Sequence, residues 1–353
     1  MRYKLGEVAK IRYGKDHKKL DDGNIPVYGS GGIMRYVDTA LYDKKSVLIP
    51  RKGSLGNLFF VNKPFWTVDT LFYTEIDENI LMPEFLFYKL KMFNLASMNV
   101  GSAVPSLTTA ILNALELDIP SFEVQSQIVN ILKAFDERIS LNKQINHHLL
   151  EQARLLYKNL ISSNDTKYQN LSDIARITMG QSPKGETYNY DKIGLPLLNG
   201  ATDFRNSISP SKWTSDPRKI ARPGEYVFGV RATIGLTTKI FKEYAIGRGT
   251  GSAKPISNIF DEYLFFALED LFDYYANLGS GTVYINISKS DFDSFKVILP
   301  IKDQFLVDFH KTVQPLFNLI FNNNAEIQKL SELRDCLLPK LLSGEISINQ
   351  ATK

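Results

Sequence analysis

Two long stretches of this chain repeat apolar residues at alternating steps of three and four, the pattern of helices that pack along one seam. The first predicts a helix from about residue 123 to residue 162, and the second predicts a helix after residue 300. Because the patterns match, we expect these helices to pair, and two unrelated surface helices are the alternative. The predicted seam positions are Ile128, Ile131, Phe135, Arg138, Asn142, Ile145, Leu149, Gln152 and Leu156 in the first helix and Val313, Leu316, Ile320, Asn323, Ile327, Leu330, Arg334, Leu337 and Leu341 in the second.

Each predicted seam contains one asparagine, Asn142 or Asn323. A polar residue in a coiled-coil seam lowers stability but fixes register and partner, so these two residues are predicted to align the helices. Pro315 conflicts with the second helix, because proline lacks an N–H and clashes with the preceding turn. We therefore expect Pro315 to start or kink that helix, which would then begin late.

The chain also contains an internal repeat at about half its length, which predicts two copies of one domain. The matches occur in the same order in both halves, which favours duplication of a whole domain with its helix. Residues 5–11 match 171–177, residues 47–51 match 227–231, residues 101–102 match 279–280, and residues 115–120 match 295–300.

The segments that precede the helices predict mixed α/β domains. Short aromatic runs at residues 58–61 and 71–73 indicate strands, and apolar periodicity at residues 83–93 and 262–274 indicates helices. A polar linker at residues 162–166 separates the halves. The predicted order is domain 1 over residues 1–120, a central helix over 121–165, domain 2 over 166–300 and a C-terminal helix over 301–353.

Composition narrows the class of protein. Cys336 is the only cysteine, so no intramolecular disulfide forms, and it has no metal-ligand spacing with the four histidines. The N-terminus lacks an apolar signal core, and no apolar run approaches the roughly 20 residues of a membrane span. We therefore expect a cytoplasmic protein without a metal site. The net charge of +4 is too small to indicate a nucleic-acid partner by itself.

The sequence offers no catalytic or cofactor motif. Residues 180–186 have the glycine spacing of a phosphate-binding loop, but Glu186 occupies the position of the lysine. The glycine-rich residues 247–251 fit a flexible turn better than a nucleotide or S-adenosylmethionine loop, because no strand-turn-helix unit surrounds them. No amino-group methyltransferase motif occurs. We therefore expect a non-catalytic chain that holds no cofactor.

Basic residues cluster at the start of the chain. Residues 1–65 contain 13 Lys and Arg against 6 Asp and Glu, and tyrosines lie among them. This asymmetry predicts a surface for DNA phosphates, and a solvated charged face is the alternative. The candidates for base contact follow an apolar strand at a glycine turn, and their alternative role is phosphate contact or solvation: Arg51, Lys52, Ser54, Arg231 and Thr233. The candidates for phosphate contact are Lys15, Lys18, Lys19, Lys184 and Arg248.

These patterns together resemble the specificity subunit of type I restriction-modification systems from end to end. The resemblance lies in the two openings at residues 5–11 and 171–177, the Gly-Ser steps, the helix start at 125–128 and the ending at 337–344. It implies two target-recognition domains, each reading one half of a split DNA site, and two helices paired as an antiparallel coiled coil. The chain is short for this family, and no base-contacting residue can be transferred to it by motif.

The resemblance also implies partners and a division of labour. Double-stranded DNA, two modification subunits that methylate adenine with S-adenosylmethionine, and restriction subunits that translocate and cleave are the expected partners, with no membrane. The chain itself would contribute no catalytic residue. Two other classes stay open: an adaptor that binds proteins through its coiled coil without DNA, and a stand-alone DNA-modifying enzyme, which the missing motifs disfavour.

Overall fold

The computed structural model describes residues 1–98, 106–200, 203, 208–230, 235–278 and 287–346. The chain divides into two compact units. Unit 1 consists of Met1–Ile139 and Lys329–Lys353, and unit 2 consists of Ser140–Gln328. Each unit therefore contains one domain, the first part of the helix that follows it and the last part of the other long helix.

Unit 1 is a mixed α/β domain with its share of the helices. Its helices are α1 (Leu5–Val8), α2 (Pro83–Lys91), α3 (Thr109–Asn113) and the first part of α4 (Phe122–Ser162). Its strands are β1 (Arg2–Lys4), β2 (Ala9–Tyr13), β3 (Asp22–Gly29), β4 (Gly32–Val37), β5 (Ser46–Pro50), β6 (Phe59–Val61), β7 (Trp66–Thr67), β8 (Leu71–Ile76) and β9 (Glu116–Asp118).

Unit 2 repeats this plan with additions. Its helices are α5 (Asp261–Leu278), α6 (Lys289–Ser294) and the first part of α7 (Asp303–Ser343). Its strands are β10 (Thr166–Asn170), β11 (Ala175–Met179), β12 (Tyr188–Asn189), β13 (Leu195–Leu198), β14 (Lys212–Thr214), β15 (Ile220–Ala221), β16 (Tyr226–Gly229), β17 (Thr238–Lys239), β18 (Tyr244–Ile246), β19 (Thr250–Pro255) and β20 (Lys296–Pro300).

The sheet topology confirms the duplication that the sequence predicts. Each unit has an antiparallel four-stranded sheet of the same order, β2-β8-β5-β6 in unit 1 and β11-β19-β16-β17 in unit 2. Each also has a second sheet with one parallel pair, β3 with β7 and β13 with β18, and a two-stranded sheet that joins the first and last strands. Unit 2 extends its second sheet with β12 and β15.

One glycine in each domain explains why both amphipathic openings end in that residue. Gly14 follows β2 and Gly180 follows β11, and a Cβ on either would lie 2.1 Å from a backbone oxygen, that of Val68 or Gly247. No side chain fits at such a distance. The strand can therefore leave its sheet along this path only with glycine.

The long helices run antiparallel within each unit. Helix α4 begins at Phe122, one residue before the predicted start, and ends at Ser162 as predicted. In unit 1, Ile128 and Leu132 near the start of α4 share one apolar core with Leu341 near the end of α7. In unit 2, Tyr157 near the end of α4 lies 6.4 Å from Phe309, ring centroid to centroid, near the start of α7. The predicted pairing of two long helices is thus present.

The predicted seam of α4 is wrong at three of its nine positions. Arg138, Ile145 and Gln152 are exposed, and the buried positions lie one residue later, at Ile139 and Ala153. Apolar residues occur on more than one side of α4, so the spacing alone allows two phases. All nine predicted positions of the α7 seam are buried or half-buried.

Pro315 neither starts α7 nor delays it. The helix begins at Asp303, and Pro315 is exposed within it. Its ring leaves the carbonyl of Lys311 without the usual helical donor, at a typical cost of about 3 kcal/mol. Val313 and Phe317 lie on either side in the apolar core of unit 2, and their burial offsets this cost.

Polar contacts fasten each domain to the long helices. In unit 1 the Tyr88 hydroxyl on α2 donates to Asp136 Oδ2 on α4 at 2.7 Å, and Arg334 Nη1 on α7 donates to Asp136 Oδ1 at 2.6 Å. In unit 2 the Tyr157 hydroxyl on α4 donates to Asp270 Oδ2 on α5 at 2.5 Å. Burial raises the pKa of Tyr88 and of Asp270, because both charged forms would lose solvation.

None of the described helices is long and apolar enough to cross a membrane.

The phase of the α4 seam can be tested with two isoleucines. We expect Ile139→Ala to lower the free energy of unfolding by about 2–5 kcal/mol, because a buried side chain leaves a cavity. Ile139 is 7% exposed and Ile145 is 38% exposed, so Ile145→Ala should cost clearly less. Urea denaturation of both variants measures the difference. A larger loss of unfolding free energy for Ile145→Ala than for Ile139→Ala would support the seam that the spacing predicted.

Candidate DNA interface

Four loops of domain 1 meet where β5 ends. The Arg51 amide donates to Thr70 O at 2.8 Å, so the residue after β5 lies beside the turn between β7 and β8. Its carbonyl accepts from the Leu107 amide at 2.9 Å. Asn57 Nδ2 donates to Ser30 O at 3.1 Å, which adds the turn between β3 and β4. We call this group of loops the β5 loop cluster.

The Arg51 side chain has a defined orientation in the β5 loop cluster. Its Nη1 donates to the carbonyl oxygen of Asp69 at 3.1 Å and lies 4.0 Å from Asp69 Oδ2. The guanidinium carbon lies 5.3 Å from the centroid of the Tyr13 ring, within cation–π range. The side chain remains 30% exposed, so part of the guanidinium can still meet a ligand.

Lys52 and Ser54 are exposed on either side of Gly53. Gly53 has φ of +84°, a left-handed conformation that favours glycine and turns the chain sharply after β5. Among the described residues, neither side chain forms a hydrogen bond or an ion pair. Both are placed to contact a ligand, and a role in base contact stays a prediction.

The three predicted phosphate-binding lysines of domain 1 lie together on the loop between β2 and β3. The loop is fixed at its base, because the Lys15 amide donates to Thr67 O at 2.8 Å and Trp66 Nε1 donates to Lys15 O at 2.9 Å. The side chains of Lys15, Lys18 and Lys19 are exposed. The Lys18 amide donates to Asp16 Oδ1, which lowers the pKa of that carboxyl, and the loop carries two carboxylates in all, Asp16 and Asp21.

Other basic residues near the start of the chain are neutralised by acidic neighbours. The ion pairs are Arg2 with Glu116, Arg12 with Glu75 at 3.1 Å, Arg35 with Asp22 at 2.7 Å, and Lys45 with Glu84 at 2.9 Å. The sequence count therefore overstates the available positive charge. The exposed lysines of the β2–β3 loop are among those that remain for a phosphate backbone.

Domain 2 presents fewer of its predicted residues. Lys184 is exposed on the loop after Gly180 and lies 3.7 Å from Glu186, nitrogen to oxygen. Arg248 is exposed in the turn between β18 and β19. Arg231 and Thr233 lie outside the described residues, as do the Gly-Ser steps at 101–102 and 279–280.

The two seam asparagines bond across the helix pair, though not to each other. Asn142 is buried, and its Nδ2 donates to Glu326 Oε2 at 3.0 Å. Asn323 Nδ2 donates to Asn146 Oδ1 at 2.8 Å. All four residues belong to unit 2, and that Asn142 and Asn323 set the register stays a prediction.

The strand registers align the two domains differently from the sequence match of residues 47–51 with residues 227–231. The two alignments differ by one residue. Gly14 N donates to Leu71 O and Gly180 N donates to Thr250 O, so Leu71 and Thr250 are equivalent. Pro50 pairs with Leu71 in the β5–β8 register, and Gly229 pairs with Thr250 in the β16–β19 register. The equivalent of Arg51 is therefore Val230, not Arg231. The sequence match aligned the two arginines because it lacked the strand register.

Tyr13 and Asp69 were missed as parts of this site. Both touch Arg51, yet they lie far from it along the chain, and neither belongs to a motif. Tyr13 is the residue directly before the repeated Gly14, which is the one signal that could have drawn attention to it.

For the described residues, no group of three or more His, Cys, Asp or Glu side chains could hold a metal ion.

Two copies of one α/β domain, each with exposed basic residues on loops and each packed on paired long helices, define the class of architecture. The protein-family model of the type I restriction modification DNA specificity domain matches this sequence twice, at residues 1–151 and at residues 164–332. The chain belongs to this family and carries two of its domains.

Individual relatives agree with this assignment. The HindI specificity subunit of Haemophilus influenzae is 23% identical over 387 residues, covering 82% of this chain and 84% of the relative. The MjaIX specificity subunit of Methanocaldococcus jannaschii is 25% identical over 350 residues, covering 88% and 79%. The crystal structure of the type I S subunit from M. genitalium has the same fold, with a TM-score of 0.64 at 16% identity, 97% coverage of this chain and 95% of that chain. Proteins of this class are the non-catalytic DNA-recognition subunits of type I systems.

The lysine loop is testable through salt dependence. In the assembled complex, replacing Lys15, Lys18 and Lys19 with Ala should weaken binding to specific and nonspecific duplexes alike, because phosphate contacts carry no sequence information. The slope of log affinity against log salt should fall by about one per lost contact.

A matched control is available on the same domain. Lys10, Lys44 and Lys63 are also exposed, but Lys10 faces Glu75, and Lys44 and Lys63 flank the Ser46–Val61 pair at the opposite end of the sheet. Replacing these three lysines removes the same charge from the chain. If both triple variants change the slope equally, the loop makes no local contact and only net charge matters.

Proposed function

We propose that this chain gives a type I restriction-modification complex its DNA sequence specificity. Each domain contacts one half of a bipartite double-stranded site, and the paired helices set the gap between the halves and hold the modification subunits. The observation that carries this proposal is the equivalence of the two units. Each combines one domain, the start of its following helix and the end of the other helix.

Equivalence of the units supports the expected partners. Two surfaces of the same construction can bind two copies of one protein, which fits two modification subunits. S-adenosylmethionine would then be bound by those subunits, and restriction subunits would join the same complex. The domain limits at residues 1–120, 121–165, 166–300 and 301–353 belong to this proposal.

The exposed loops support DNA as the ligand over a purely protein-binding adaptor. A backbone-anchored lysine loop beside an oriented arginine combines phosphate contact with the means to contact a base edge. An adaptor has no need of such a combination. The adaptor stays the alternative, and it predicts that no duplex is bound even with a methyltransferase partner present.

Domain exchange tests the proposal directly. Replacing residues 166–300 with the corresponding domain of a relative should change one half of the methylated site and leave the other half intact, because each domain recognises DNA separately. Methylome sequencing of a host that carries the variant and its modification partner gives the result. The reciprocal exchange of residues 1–120 is the control and should change the other half. A change in both halves after one exchange would contradict separate recognition.

The gap is tested by lengthening both helices. We would insert seven residues between Asp136 and Asn142 on α4 and seven between Glu326 and Arg334 on α7, so that the contacts Asp136–Arg334 and Asn142–Glu326 both persist. Seven helical residues add about 10 Å, or roughly three base pairs of B-DNA. We expect a longer gap between unchanged half-sites, or loss of methylation if DNA twist cannot follow.

An insertion in α4 alone is the control for this experiment. It displaces one helix against the other and should abolish methylation, because the two sets of contacts can no longer form together. Full activity with the original gap after the paired insertion would show that the helices do not set the distance.

A further inference from the structure

Among the described residues, each domain has an arginine at the same place, but the arginine comes from a different turn. In domain 1 the residue after β5 is Arg51, and the turn between β7 and β8 contains Asp69. In domain 2 the residue after β16 is Val230, and the turn between β18 and β19 contains Arg248. The sequence match between the halves does not show this difference in arginine position, because it aligns Arg51 with Arg231.

Backbone contacts fix the equivalence of these positions. The Arg51 amide donates to Thr70 O at 2.8 Å, and the Val230 amide donates to Gly249 O at 3.1 Å. Thr70 and Gly249 directly precede the equivalent residues Leu71 and Thr250, so Asp69 is the counterpart of Arg248. Each pair therefore sits side by side: Arg51 with Asp69, and Val230 with Arg248.

In domain 1 the carbonyl oxygen of Asp69 and the Tyr13 ring orient the arginine. Asp69 accepts one donor of the Arg51 guanidinium through its carbonyl oxygen, and Tyr13 lies against the guanidinium. The planar guanidinium has five N–H donors, so an edge stays free for a second partner. An oriented guanidinium loses little conformational entropy when it donates two hydrogen bonds to one base.

In domain 2 close backbone packing fixes the turn that carries the arginine. A Cβ on Gly247 would lie 2.1 Å from Asn199 Oδ1, and a Cβ on Gly249 would lie 2.6 Å from Asn199 O. The turn is thus pressed against the end of β13, and Arg248 is the one residue of these three with a side chain. Arg248 is exposed, and within the described part of the chain it forms no ion pair.

We propose that this place is the guanine-contacting position of each domain, occupied by Arg51 in domain 1 and by Arg248 in domain 2. Asp69 is a positioning residue that orients Arg51. Each arginine donates to O6 and N7 of one guanine in the major groove, the bidentate contact that its geometry suits best. This inference rests on the proposed function and assigns Arg248 to a base edge, not to a phosphate.

The contact between Arg51 and Asp69 has little value for folding. The Asp69 side chain is 68% exposed, and an ion pair at such a site contributes almost nothing to stability. Tyr13 is also half exposed. A fixed arginine that the fold does not require is the arrangement expected of a residue that binds a ligand.

The experiment compares variants in the full complex by methylome sequencing and by affinity for duplexes that differ at single positions. We expect Arg51→Ala to lose the guanine requirement at one position of one half-site, with discrimination there falling about tenfold or more. Arg248→Ala should do the same in the other half. Asp69→Asn removes only the carboxylate 4.0 Å from Nη1 and keeps the carbonyl oxygen that accepts from Arg51, so it should affect that position much less than Arg51→Ala does. Lys63→Ala is the control and should leave both half-sites unchanged.

Two further variants separate base contact from phosphate contact. Arg51→Lys keeps the positive charge but loses the forked donor pair, so it should retain affinity and lose discrimination. A phosphate contact would instead survive in Arg51→Lys, and its loss in Arg51→Ala would weaken all duplexes equally. The double variant Arg51→Val with Asp69→Arg builds the arrangement of domain 2 into domain 1. We expect it to regain a guanine requirement that Arg51→Val alone lacks.

The outcomes separate this inference from the proposed function. Uniform weakening across sequences, an unchanged site, or effects of Arg51→Ala and Arg248→Ala in the same half would each overturn the assignment of the arginines. The exchange of residues 166–300 would still alter one half-site in those cases. If that exchange leaves the methylated site unchanged, the proposed function itself fails.

Discussion

The structure depends on the burial of one face of α4 against α7. In unit 1 the start of α4 and the end of α7 complete the core of domain 1, and in unit 2 the end of α4 and the start of α7 complete that of domain 2. Neither domain core closes with residues of its own half of the sequence alone. Each needs a helix segment that the other half of the chain supplies. A duplicated protein built in this way cannot easily lose one half, because each repeat buries apolar surface of the other.

The duplicated domains share their backbone but differ in what their loops present. The four-stranded sheets have the same strand order, and the glycines after β2 and β11 make the same close contact. Above this common frame, domain 1 has Arg51 beside Asp69 where domain 2 has Val230 beside Arg248. Buried strands such as β5 and β16 tolerate little change, whereas exposed side chains on the neighbouring turns, such as those of Asp69 and Arg248, face no such constraint. A fold of this kind can keep its stability while its recognition residues diverge.

The sequence predicted the order of elements well, because that order follows from local pattern. The two long helices, the duplicated domains and the strands that end at or shortly before Pro120 and Pro300 all depend on periodicity and glycine or proline signals. Prediction from the sequence failed where more than one structure satisfies the same pattern of apolar residues. The α4 seam has two allowed phases, and only packing selects Ile139 over Ile145. The pairing of Arg51 with Asp69 joins residues from two turns, so strand register alone could reveal it.

Charge in this protein acts locally. A net charge of +4 on 353 residues supplies little long-range attraction to DNA, and several basic residues of domain 1 are already paired with carboxylates. We propose that affinity for a phosphate backbone comes from exposed lysines on the loop that is anchored through Lys15. Weak nonspecific attraction has an advantage for a protein that selects one sequence among many. Discrimination depends on the difference between specific and nonspecific binding, and a modest general attraction leaves that difference to the oriented side chains.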